Sequence, residues 1–79
     1  MNKVNVFIIS SNGSLGSPSV ISDNTKAEAF FDSLVENLLP DFNEENKNTI
    51  DYGFKLINAN IELVSLGIKI YWYEDIEII

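Results

Sequence analysis

The sequence contains no histidine, no cysteine and no arginine. Without cysteine there is neither a disulfide frame nor a thiolate zinc site, and without histidine the usual general base and commonest metal ligand are missing. Without arginine there is no guanidinium fork for phosphate. Basic charge is scarce altogether, with five lysines against twelve carboxylates and a formal net charge of -7. No apolar run approaches the roughly 18 residues of a membrane span, and the opening residues lack the small-residue cleavage site of a signal peptide. The expectation is a cytoplasmic protein with no cofactor, no metal and no membrane contact.

What is present is an acidic, apolar, foldable chain. Hydrophobic side chains make up 46% and aromatic ones 11% of the 79 residues, a composition at odds with disorder. A chain this short forms one domain, residues 1–79, with a thin core that buries roughly 60–65% of the unfolded surface. The charge is unevenly placed: Lys3 is the only charged side chain in residues 1–22, and residues 23–79 carry a balance of -8. Such a body repels phosphates, so direct nucleic-acid binding is not expected.

Val4, Val6 and Ile8 alternate with Asn5, Phe7 and Ile9, a strand apolar on both faces near its end and therefore central. Asn12-Gly13 within the serine- and glycine-rich stretch 10–19 signals a hairpin turn, because both residues tolerate positive φ. A short strand over 19–22 follows. Asp23 or Asn24 is placed to cap a helix whose apolar residues Ala27, Phe30, Phe31, Leu34, Val35 and Leu38 recur at helical spacing until Pro40. Residues 44–66 then fit a second helix, with Ile50, Phe54, Ile57, Ile61 and Val64 at intervals of four and three and Gly67 as its end. A strand over 49–57 followed by a turn and another strand is the competing reading. The final stretch 68–79 is a strand by composition, with Ile68, Ile70, Trp72, Ile76 and Ile78 on one face. Glu74 breaks that face and implies a bulge, a sheet margin or a buried acid, and the cost of burying an unpaired charge favours the first two. The expected fold is α+β in the order β-β-α-α-β, a small antiparallel or mixed three-stranded sheet with two helices on one face; the alternative is β-β-α-β-β-β.

Four features bear on function. The loop 10–19 offers backbone donors for an anion, but lacks the lysine and the following helix of a phosphate loop, so a hairpin connection is the plainer reading. The run 41–46 has alternating oxygen ligands but Asn46 at the glycine position and Tyr52 at the closing acid position of a calcium loop. Glu28, Asp32 and Glu36 repeat every four residues along the first helix, and Glu74, Asp75 and Glu77 join Tyr71 and Tyr73 on the last strand. Together these eight residues make a candidate surface for a basic partner, where charge steers encounter. The second helix is apolar over more than half its girth. With its main stripe turned to the core, Tyr52, Leu56 and Leu63 form a flank that either the first helix or a second copy of the chain would cover.

The segments Val20-Ile21-Ser22-Asp23, Ala27-Glu28-Ala29-Phe30-Phe31 and Tyr71-Trp72-Tyr73-Glu74-Asp75-Ile76-Glu77-Ile78 give an outline that resembles small acidic phage or mobile-element proteins inhibiting host defence, anti-CRISPR proteins among them. The resemblance covers about a third of the chain, a loose pattern without a catalytic signature, and transfers no site. It implies a non-enzymatic protein-binding module, a phage-encoded inhibitor of a basic nucleic-acid-binding host defence protein. The alternatives are a homo-oligomeric structural or accessory protein, and a small-ligand binder using the loop 10–19.

Overall fold

The alternating residues near the amino end become strand β1 (Asn2–Ser11) in a computed structural model that describes residues 2–78. Asn12 and Gly13 take positive φ, 51° and 85°, and return the chain into β2 (Ser14–Leu15), with Ser11 opposite Ser14. This is the two-residue turn that Asn-Gly favours. Strand β3 (Ser19–Ile21) pairs with the same edge of β1, Asn5 opposite Ile21 and Phe7 opposite Ser19. Strand β4 (Ile68–Ile78) takes the other edge along its whole length. β1 is therefore the central strand of an antiparallel sheet, which has four strands because the hairpin adds β2.

Helix α1 (Asn24–Leu38) starts where Asp23 stops the extended chain. Its Oδ1 accepts from the Thr25 and Lys26 amides at 2.7 and 3.2 Å, satisfying two of the four free donors of the first turn. The helix ends before Pro40 and buries Ala27, Phe31 and Val35. The single helix expected over 44–66 is in fact two. A short helix α2 (Phe42–Glu45), anchored by buried Phe42, is followed by an irregular turn over 46–51 and by helix α3 (Tyr52–Leu63), which closes in a 3-10 turn, Val64–Leu66. Asn46, Asn48 and Thr49 are weak helix formers, and Asp51 caps α3 afresh by accepting from the Gly53 and Phe54 amides. The alternative hairpin over this region is absent. Gly67 ends the helical segment with φ 71°, as its position suggested, and lies so close to the Asn12 side chain that a Cβ there would force that side chain aside.

The core lies between the helices and one face of the sheet. Phe7, Phe31, Phe42, Leu63 and Ile70 are fully buried, and the rings of Phe7, Phe30, Phe31, Tyr52 and Trp72 make a continuous cluster with centroids 4.8–6.0 Å apart. Buried Asn5 is the polar exception. Its Nδ2 donates to Asn24 Oδ1 at 2.8 Å and its Oδ1 accepts from Trp72 Nε1 at 3.0 Å, so one satisfied amide ties the two long strands to the start of α1. The molecule measures 37 × 31 × 17 Å, the thickness of one helix layer on one sheet.

The outer edge of β4 would expose unpaired backbone groups. At Ile70 this is prevented by Asn60 of α3: its Nδ2 donates to the Ile70 carbonyl at 3.0 Å and its Oδ1 accepts from the Ile70 amide at 2.9 Å. One side-chain amide thus takes the place of a neighbouring strand. Farther along, a bulge interrupts the ladder. Val6 pairs with Tyr73 but Val4 with Ile76, leaving Glu74 and Asp75 together opposite Asn5, with Asp75 at φ 55°. Bulges and charges on an edge both discourage strand addition.

Candidate interaction surfaces

Two apolar faces remain uncovered. The first is the back of the sheet. Side chains alternate along a strand, so Phe7, Ile21, Ile70 and Trp72 face the helices, while Val6, Ile8, Val20, Tyr71 and Tyr73 face away. The bulge extends this back face. By inserting a residue it reverses the alternation beyond it, and Ile76, expected beside Trp72, comes to the Tyr73 side opposite Val4. Tyr71 and Tyr73 stack in parallel, centroids 6.4 Å apart, with the Lys69 ammonium 4.8 Å from the Tyr71 ring. Tyr73, Ile76 and Val20 are exposed, and so are Glu74 and Asp75 in the bulge between Tyr73 and Ile76, opposite Asn5.

The same reversal divides the residues expected to act together. Glu77 lies opposite Lys3, on the helix side of the sheet by alternation, so it does not join Tyr71 and Tyr73. The side chain of Ile78 lies outside the described residues.

The stripe on α1 is also broken up. Asp32 is turned toward α3, where its Oδ2 accepts from the Tyr52 hydroxyl at 2.7 Å and the Lys55 ammonium stands 3.8 Å from its Oδ1. That Oδ1 is buried without a hydrogen bond, leaving the lysine charge as its compensation. Lys55 also lies 4.4 Å from the centre of the Tyr52 ring. Burial, then the hydrogen bond to Asp32, then the charges of Asp32 and Glu28 push the Tyr52 hydroxyl up to about 12. Asp32 is therefore part of a clasp between α1 and α3. Glu28 is half-buried and Glu36 alone of the three is exposed.

The second face is the outer side of α3, and here the sequence expectation is inverted. Tyr52, Leu56 and Leu63, expected as a flank for the first helix or a second copy, turn inward with Ala59: Leu63 and Ala59 have no exposed surface, Tyr52 and Leu56 pack on the core, and Tyr52 meets Asp32 of α1. The stripe expected in the core faces solvent. Ile50 is 87% exposed, Phe54 62%, Ile57 56%, Ile61 67% and Val64 75%, with Leu66 adjoining at 52%. At 100° per residue the inner and outer stripes are centred roughly 150° apart, so this helix is apolar on two nearly opposite sides. Ile57, Ile61, Val64 and Ile68, flanked by Asn60 and Lys69, line a shallow groove of about 490 Å³ on the outer side.

Two amides of the loop 10–19 are taken up internally. The Asn12 amide donates to the Gly67 carbonyl at 2.7 Å and the Gly16 amide to the Ile9 carbonyl at 2.8 Å. Among the described residues no group of three acidic side chains is placed to hold a metal ion, and no helix is long and apolar enough to cross a membrane. Comparison with protein-family models, curated proteins and solved structures finds no match.

Proposed function

We propose that the chain is a non-enzymatic protein-binding module that engages a basic protein through the back of its sheet. The observation that carries this reading is the face with no layer over it that holds the stacked Tyr71–Tyr73 pair, Ile76 and Val20, next to the exposed carboxylates Glu74 and Asp75 of the bulge. Exposed tyrosine in an apolar patch beside charge is the composition of interfaces, where aromatic anchors supply most of the energy. The net charge of -7 selects the partner's sign, because a basic surface is drawn in over several ångströms and an acidic one is repelled. Inhibition of a basic nucleic-acid-binding host defence protein, the use implied by the resemblance, is one such engagement.

The test begins with capture of basic proteins on the immobilised chain and continues with each captured protein purified. Calorimetry should give a defined stoichiometry, with affinity falling steeply as salt rises. Tyr73→Ala and the pair Glu74→Lys with Asp75→Lys should each weaken binding at least about tenfold, the size typical of an anchor or of reversed interfacial charge. Affinity untouched by these changes and by salt would falsify the proposal.

A further inference from the structure

We infer that the outer face of α3 is covered by a second copy of this chain, the two α3 helices packing antiparallel about a two-fold axis at Ile57. On α3 the exposed Phe54, Ile57 and Ile61 are spaced three and four, the spacing of a seam between paired helices, and exposed Val64 in the 3-10 turn and Ile50 in the turn before Asp51 flank it at either end. The seam is its own complement. Reversed about Ile57, it sets Phe54 against Ile61 of the other copy and brings the flanking turns that carry Ile50 and Val64 together, as a two-fold interface requires. Shape agrees with this, because Phe54 stands out at one end and the groove along Ile61, Val64 and Ile68 lies at the other.

Charge agrees as well. A chain at -7 repels its copy wherever carboxylates face each other, and the seam contains none. Asp51 borders the Phe54 end and Lys69 the groove end, so reversal brings unlike charges together. The exposed fractions of the seam, its two flanking residues and Leu66 add up to about four whole side chains. At roughly 150 Å² each these cover on the order of 1,200 Å² in the pair, the lower end of the range for stable interfaces.

The inference stands apart from the proposal for the back of the sheet, and its test separates the two. Sedimentation equilibrium of the full chain should show a monomer–dimer equilibrium at micromolar concentration. Ile61→Glu should raise the dimer Kd at least about a hundredfold, since a carboxylate in the apolar seam has no partner. Its circular dichroism should remain that of the wild type. Because the chain has no cysteine, orientation can be read directly: Ile50→Cys and Val64→Cys should be joined by a short bismaleimide when mixed, and neither with itself. A wild type that stays monomeric at millimolar concentration overturns the inference, and so does an unchanged Kd in Ile61→Glu. Self-joining of each single variant overturns the antiparallel arrangement. None of these results alters binding of a basic protein at Tyr73, on the other layer of the molecule.

Discussion

Leu63 and Ile61 have isomeric side chains two residues apart on α3, yet they face opposite ways: Leu63 has no exposed surface and Ile61 is 67% exposed. Truncating either to alanine removes three carbons, each worth roughly 0.8 kcal/mol when fully buried. For Leu63→Ala the transfer loss of about 2.4 kcal/mol is joined by a cavity between α3 and the sheet, so the cost should be about 3–4 kcal/mol. For Ile61→Ala only a third of the surface is lost from burial, about 0.8 kcal/mol on the same scale, and solvent fills the space. A domain of this size has a stability of roughly 4–12 kcal/mol. Leu63→Ala should therefore lower Tm by roughly 12–30 °C and Ile61→Ala by about 3–6 °C, at 4–8 °C per kcal/mol. Urea and thermal melts followed by circular dichroism and by the fluorescence of Trp72, which stacks within the core cluster, measure both. They should be made at concentrations low enough to keep the chain monomeric. Equal losses there, or a larger loss at Ile61, would refute the assignment of inner and outer faces. At high concentration the wild type should gain stability that Ile61→Ala does not.

The other predictions concern polar contacts. Asn60→Ala leaves the Ile70 amide and carbonyl without partners and should cost about 1–3 kcal/mol; it should also speed hydrogen exchange at Ile70, and unchanged exchange would remove the edge-covering role of Asn60. Tyr52, raised from 10.0 to about 12, stabilises the fold in its protonated form. That contribution is whole below pH 10 and is lost as pH rises through 12, and it is reduced by the solvent that reaches the hydroxyl. Tyr52→Phe should flatten the stability profile between those values. Identical slopes in denaturant melts of the variant and the wild type would contradict this.

Several elements were legible because their signals are local. Asp23 followed by residues at helical spacing, Asn12-Gly13 between alternating segments, and Gly67 after the last helical residue each act through backbone geometry within a few positions. Glu74 was equally readable as a departure from its face, and it marks the bulge. The break at 46–51 was not, because Asp51 caps a helix only if the turn before it holds, and Asn46 helps hold that turn by bonding to Phe42 and Asn58, residues on α2 and α3.

The surfaces depended on contacts distant in sequence. Asp32 left the carboxylate stripe because α3 brought Tyr52 and Lys55 beside it, and Glu77 left the Tyr71–Tyr73 face because one inserted residue reversed the strand beyond it. Asn60, whose role no local pattern indicated, was singled out by its place opposite the backbone of Ile70.

The sequence by itself determined which side chains these 79 residues can present, with no histidine, cysteine or arginine among them whatever the fold. It also determined the α+β order and the apolar excess of the second helical region. Only the tertiary structure decided which side of α3 is core. Two stripes of the same period, Tyr52-Leu56-Ala59-Leu63 and Ile50-Phe54-Ile57-Ile61-Val64, are equal candidates by spacing. The choice falls to the stripe containing Ala59 because a small side chain admits close packing, with Asn60 reaching the strand edge and Tyr52 reaching Asp32.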